Sequence, residues 1–133
     1  MLLFTYQLSA QRIDLDIIAK IESSGNTYAH NKTDGGSRGM YQISPICLKD
    51  YNQINDTNYE LKDLFNLDVN RKIASWYFEV RIPYMLKRNN IKVTLENKII
   101  SYNAGIRYLI NNEPIPTSTR NYIEKYKNLS APK

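Results

Sequence analysis

Glu22 is the carboxylate best placed in this chain to hold a proton and then release it. It closes an apolar helical pattern and is followed by Ser23-Ser24-Gly25-Asn26, where the glycine marks a helix end. A side chain in the last turn of a helix lies in the partial negative charge of that terminus. That field, together with burial against apolar groups, disfavours a second negative charge and would raise the carboxyl pKa. General acid catalysis, including cleavage of glycosidic bonds, needs a carboxyl that stays protonated near neutral pH. Most glycosidases add a second carboxylate as nucleophile or base. Asp34 is the only acidic residue nominated for that part, and beside Gly35 it reads more simply as a turn-former.

Other chemistries find little support. His30 is the only histidine and Cys47 the only cysteine, so no intrachain disulfide can form and no zinc site or other metal site is expected. Cys47 lies in the apolar run Ile46-Cys47-Leu48 with no basic partner in view, and reads as a buried structural thiol. A Ser-His-Asp triad would have to use His30 in a polar loop, with no nucleophile elbow to go with it. No cofactor is called for. The net charge of +5 suits a polyanionic partner. Nucleic acid and an anionic cell wall both qualify, but the basic residues are scattered and no nucleic-acid motif appears.

The elements that must position Glu22 read as helices joined by short loops. In the first helix Ile13, Ile17, Ile18 and Ile21 share one face, with Ser9 or a nearby polar residue as cap and Gly25 as stop. Gly25, Gly35, Gly36 and Gly39 make residues 24–40 too glycine-rich for a helix, so this stretch is expected to be a long turn or small hairpin. Ser44-Pro45 is a cap followed by a first helical residue, and starts a helix through Leu48 and Tyr51. Asn52 to Asn58 reads as a surface loop, and Leu61 to Phe65 as a short turn. Val69, Ile73, Trp76, Tyr77, Val80 and Tyr84 then mark a long amphipathic helix, which Pro83 should kink or break near Arg81. Thr94 caps a helix carrying Leu95, Ile99 and Ile100 that stops at Gly105, with a further turn through Ile106 to Ile110. Pro114 and Pro116 impose a loop, and a last helix runs from about Ser118 to Asn128. Little reads as strand. At 133 residues the expectation is one mainly α domain over 1–133, with about six to eight helices. No apolar run reaches the roughly 20 residues of a membrane span, and Met1-Leu2-Leu3-Phe4 lacks the basic flank of a signal peptide, so a first strand or packed arm is expected there.

Four pieces, in order, resemble the soluble lytic transglycosylase and goose-type lysozyme family. They are Glu22-Ser23; Thr33-Asp34-Gly35-Gly36-Ser37-Arg38-Gly39 running into Met40-Tyr41-Gln42; Ser101-Tyr102-Asn103-Ala104-Gly105; and Thr119-Arg120-Asn121-Tyr122. Leu67-Asp68-Val69-Asn70 resembles a further segment of the family, without its proline, and is expected to be structural. Tyr41 departs from the family's usual Met. The resemblance implies a lysozyme-like fold with the glycine-rich turn after the catalytic Glu, and enzymes that cut the glycan strands of peptidoglycan. It implies that Glu22 alone acts, first as acid and then as base, with the N-acetyl group of the substrate in place of a second carboxylate. The product would be a 1,6-anhydro-muramic end. Around Glu22 it implies a substrate-binding set of Ser23, Thr33 with its hydroxyl toward Glu22, Tyr41 lining a sugar groove, Gln42 bonding the sugar or its N-acetyl group, Tyr102, Asn103 and Tyr122.

Two other functions stay open on the sequence. One is a hydrolase of the same fold using water and Asp34; the other is a wall-binding module without catalysis. The expected partner is the glycan strand of the wall, with no nucleic acid, no membrane span and a monomeric chain. The expected place of action is the bacterial cell wall, periplasmic or exterior. Carriage in a phage particle, release at lysis and export by a secretion apparatus are the three routes considered, with a phage or prophage enzyme preferred.

Overall fold

The computed structural model describes residues 11–33 and 35–132. Ser9, the apolar Met1-Leu2-Leu3-Phe4 and Asp34 lie outside the described residues. The chain is mainly helical and divides into two compact units, Leu15–Tyr77 and Phe78–Lys133 with the stretch up to Asp14. No helix among the described residues is long and apolar enough to cross a membrane.

In the Leu15–Tyr77 unit, α1 (Leu15–Ser23) begins two residues after Ile13 and buries Ile17, Ile18 and Ala19. It ends where Ser24 and Gly25 take left-handed φ values of 55° and 78°, and their N–H groups donate back to the carbonyls of Lys20 and Ala19. The expected hairpin follows: β1 (His30–Asn31) and β2 (Ser37–Arg38) pair antiparallel, His30 opposite Arg38. Helix α2 (Pro45–Asn55) starts as its sequence predicts, with Ser44 Oγ accepting from Cys47 N at 3.1 Å and Pro45 in the first turn. It continues through half of the stretch expected to be loop. Asp56, at φ 54°, ends it, and Asn52 folds the chain back by accepting from Thr57 Oγ1 and Tyr59 N and donating to the Tyr59 carbonyl. A 3-10 turn (Leu61–Phe65) leads to α3 (Leu67–Trp76), capped by Asn66 Oδ1 on Val69 N. Helix α3 packs on that turn and on α1.

A π-helical turn, Tyr77–Arg81, precedes α4 (Ile82–Arg88). Pro83 explains it: proline has no N–H to donate and its ring collides with the carbonyl four residues back, that of Glu79, so the chain widens there. The extra residue shifts the buried face. Ile73 and Phe78, both fully buried, are five apart, and Ile82 and Leu86 continue at steps of four. Val80 and Tyr84, expected on the apolar face, are instead more than half exposed. In the unit containing α4, the central helix is α5 (Leu95–Asn103), which packs against α4, α6 (Arg107–Ile110) and α7 (Thr117–Ser130). Thr94 caps α5 through Asn97 N at 3.0 Å.

Lys98, on α5, is buried with its charge. Its Nζ donates to Glu79 Oε2 at 3.0 Å and to the Gln11 carbonyl at 3.1 Å, while Glu79 Oε1 accepts from Ile13 N at 2.9 Å. Tyr126 Oη accepts from Asp14 N at 2.8 Å. Three of these four bonds hold residues 11–14 onto the unit, and the fourth pairs Lys98 with Glu79. A buried pair of this kind offsets its desolvation only because each charge has further hydrogen bonds.

Candidate active site

Glu22 lies in the last turn of α1 and is half-buried, as the sequence predicts. Ser23 beside it supplies the link to the glycine-rich segment. Its Oγ donates to the Met40 carbonyl at 2.7 Å and accepts from Asn26 N at 3.1 Å. The hydroxyl expected to meet substrate therefore joins the Glu-Ser pair to the segment Gly39-Met40-Tyr41-Gln42.

That segment is a tight turn held mainly through its backbone. Gly39 has φ +83°, Gly39 N donates to the Ala29 carbonyl at 2.8 Å, and Gln42, at φ 53°, donates its N–H to the Gly39 carbonyl. Arg38 and Ile43 exchange both backbone hydrogen bonds across its base. Beneath it sits Asn70 of α3, fully buried. Its Nδ2 donates to the carbonyls of Arg38 at 2.9 Å and Leu64 at 2.8 Å, and its Oδ1 accepts from Tyr41 N at 3.0 Å. One carboxamide thus binds the turn, the 3-10 helix and α3. The expectation of a structural role for Leu67-Asp68-Val69-Asn70 agrees with this.

The predicted substrate residues of this unit fare differently. Gln42 is half-buried, and its Nε2 is used internally, on the carbonyls of Ala29 and Gly39. Its Oε1 is the end left to accept from a ligand. Tyr41 does not line a groove: its side chain is fully buried, and its Oη accepts from Arg71 Nη1 at 2.8 Å. A ring at that depth fills the core. Thr33 is exposed, and its Oγ1 donates to Asn31 Oδ1 at 2.7 Å, closing a local turn in place of the expected orientation toward Glu22. Nothing in the spacing of residues 41 and 71 shows that a guanidinium meets a phenol.

In the other unit Tyr102, half-buried, stacks on Phe78 with ring centroids 4.1 Å apart and planes at 20°. Asn103 is exposed at the end of α5, and its Oδ1 accepts from Thr119 Oγ1 at 2.7 Å, leaving Nδ2 to donate elsewhere. Tyr122, on α7, is buried. Gly105, past the end of α5, takes φ +102° as expected of a helix stop.

Cys47 is buried, and burial, with Asp50 nearby, pushes its thiol far above the ordinary range. It carries no nucleophile's chemistry. Among the described residues no three His, Cys, Asp or Glu side chains gather as a metal site. The family model described as Transglycosylase SLT domain matches residues 7–123. Comparison with curated proteins and with solved structures gave no match.

Proposed function

The chain belongs to the transglycosylase SLT domain family, and from that premise we propose that it cuts peptidoglycan glycan strands with Glu22 as both acid and base. Family membership supports peptidoglycan as the substrate and a lytic transglycosylase type of activity. The finer reading concerns the bond and the product. Protonated Glu22 gives its proton to the oxygen joining N-acetylmuramic acid to N-acetylglucosamine. The muramic acetamido oxygen supports the anomeric carbon as that bond breaks. Glu22, now a carboxylate, takes the proton of the C6 hydroxyl, and O6 closes on the anomeric carbon. A 1,6-anhydro end forms, Glu22 is protonated again, and no water is consumed.

The observation that carries this reading is the join at Glu22. Half-buried in a helix's last turn, Glu22 precedes the serine whose 2.7 Å hydrogen bond holds the Gly39 to Gln42 turn. An acid needs a fixed position relative to the groups that hold its substrate, because misplacement by an ångström costs rate. Gln42 then offers an acceptor to a saccharide N–H or hydroxyl. Among residues 78–133, Asn103 offers a donor, the half-buried Tyr102 is proposed to face saccharide, and the buried Tyr122 is proposed to present its hydroxyl alone.

The test is digestion of purified peptidoglycan by the wild type and by Glu22→Gln, with mass analysis of the muropeptides. Anhydro ends, lighter by one water than reducing ends, are expected from the wild type. The variant should release them at least about 100-fold more slowly. Reducing ends from the wild type would refute the transglycosylase step, and full activity in the variant would refute the role of Glu22.

A further inference from the structure

Tyr28 is 76% exposed, an unusual degree for a large aromatic side chain. Its backbone is anchored and its ring has an aromatic neighbour. Its N–H donates to Asn26 Oδ1 at 2.9 Å, and its ring lies 6.5 Å from that of Phe65 with planes at 27°. Phe65 is half-buried at the end of the 3-10 turn and also meets the edge of His30, with centroids 6.3 Å apart at 76°. These separations are those of interacting aromatic pairs. Between Tyr28 and His30, the Ala29 carbonyl accepts from Gly39 N and from Gln42 Nε2. The cluster is therefore tied to the same turn that Ser23 holds beside Glu22. None of the motifs around Glu22 includes Tyr28 or Phe65.

We propose that Tyr28, backed by Phe65 and flanked by His30, is an outlying sugar-binding platform that takes one N-acetylhexosamine ring of the glycan strand away from the bond being cut. The inference rests on the peptidoglycan reading above. An aromatic face carries partial negative charge that favours the C–H groups lining the flat face of a pyranose. His30, exposed at the cluster's edge, offers ring nitrogens to sugar hydroxyls or the acetamido group. A ring with an aromatic neighbour beside it has less freedom to lose on binding than a lone one. The glycan is the occupant argued for because the platform begins six residues after Glu22 and is hydrogen-bonded to the Gly39 to Gln42 turn. Such a platform strengthens strand binding without touching the reacting atoms.

The experiment compares the wild type, Tyr28→Ala and Tyr28→Phe on long peptide-free glycan strands, with circular dichroism to verify the fold. Tyr28→Ala should raise KM about fivefold to tenfold at unchanged kcat, and Tyr28→Phe should stay within about twofold of the wild type. An unchanged KM in Tyr28→Ala overturns the platform, as does a Phe variant as weak as the Ala variant. A second arm follows the Tyr28 and Phe65 ring protons by NMR in Glu22→Gln as peptide-free glycan oligomers are added. Shifts at both rings support the platform, and silent rings overturn it. If the wild type releases no product, the peptidoglycan reading fails on its own, and the NMR arm still decides the platform.

Discussion

Replacing Gly39 by alanine should nearly unfold the protein, and the size of the effect can be worked out from its neighbours. A Cβ built on Gly39 would lie 2.1 Å from Asn70 Nδ2 and 2.2 Å from the Leu64 carbonyl oxygen. Ordinary contact begins near 3.4 Å, so both overlaps exceed an ångström. Neither neighbour can retreat freely. Leu64 O is backbone, and Asn70 is fully buried with three hydrogen bonds on its carboxamide. Forcing the carboxamide aside leaves two or three buried polar groups unpaired, at about 1–3 kcal/mol each. Alanine at a left-handed φ adds about 1–2 kcal/mol. The sum is about 3–11 kcal/mol, a range that reaches the whole stability of many domains. Equilibrium urea unfolding followed by the fluorescence of Trp76, the only tryptophan, measures it. Gly25→Ala is the control: φ is +78° there, with nothing within 4 Å of the added carbon, so only the conformational part, about 1–2 kcal/mol, should appear. Asn70→Ala should cost about as much as Gly39→Ala. The double variant should fall well short of the sum, because the two changes break the same bonds. A Gly39→Ala loss no larger than that of Gly25→Ala, or full additivity with Asn70→Ala, would refute the reasoning.

The remaining predictions concern buried groups in both units. Lys98→Met should cost about 3–5 kcal/mol by stranding Glu79 in its partly buried place, and adding Glu79→Gln should recover part of that loss, as paired denaturation curves would reveal. Cys47, buried and with its thiol pushed up, should resist a disulfide reagent at pH 8 in the native protein and react fully in urea; fast native labelling would contradict the burial.

The parts of the fold read correctly from sequence were those set by local chemistry. Ser44-Pro45 and Thr94 start helices because a hydroxyl one residue ahead of a helix meets free N–H groups, and Gly105 stops one because it tolerates positive φ. Glu22 was placed in its last turn by the same logic. What escaped was set by partners distant in the chain. Tyr41 reads as a groove residue until Arg71 is found on its hydroxyl and Asn70 on its N–H. The apolar face beyond Ile73 is not legible in the sequence because one extra residue in the π turn slips the period, placing Phe78, Ile82 and Leu86 inside in place of Val80 and Tyr84. The loop expected from Asn52 lost its first residues to α2, since Asn52 serves as a hydrogen-bonding post for residues 57–59 while staying helical. Motif position alone points to Thr33, and a motif does not show that its hydroxyl donates to Asn31 Oδ1.

The grip on the Gly39 to Gln42 turn falls on main-chain atoms: Ser23 on the Met40 carbonyl, and Asn70 on the Arg38 carbonyl and the Tyr41 N–H. Main-chain atoms are the same whatever residue carries them. The turn's main-chain grip is accordingly indifferent to the side chain at position 40, while position 41 asks for a side chain that fills its volume and carries an acceptor for Arg71. Variation can be written into those two places without redrawing the backbone beside Glu22, whereas Ser23, Gly39 and Asn70 leave evolution almost no alternative spelling.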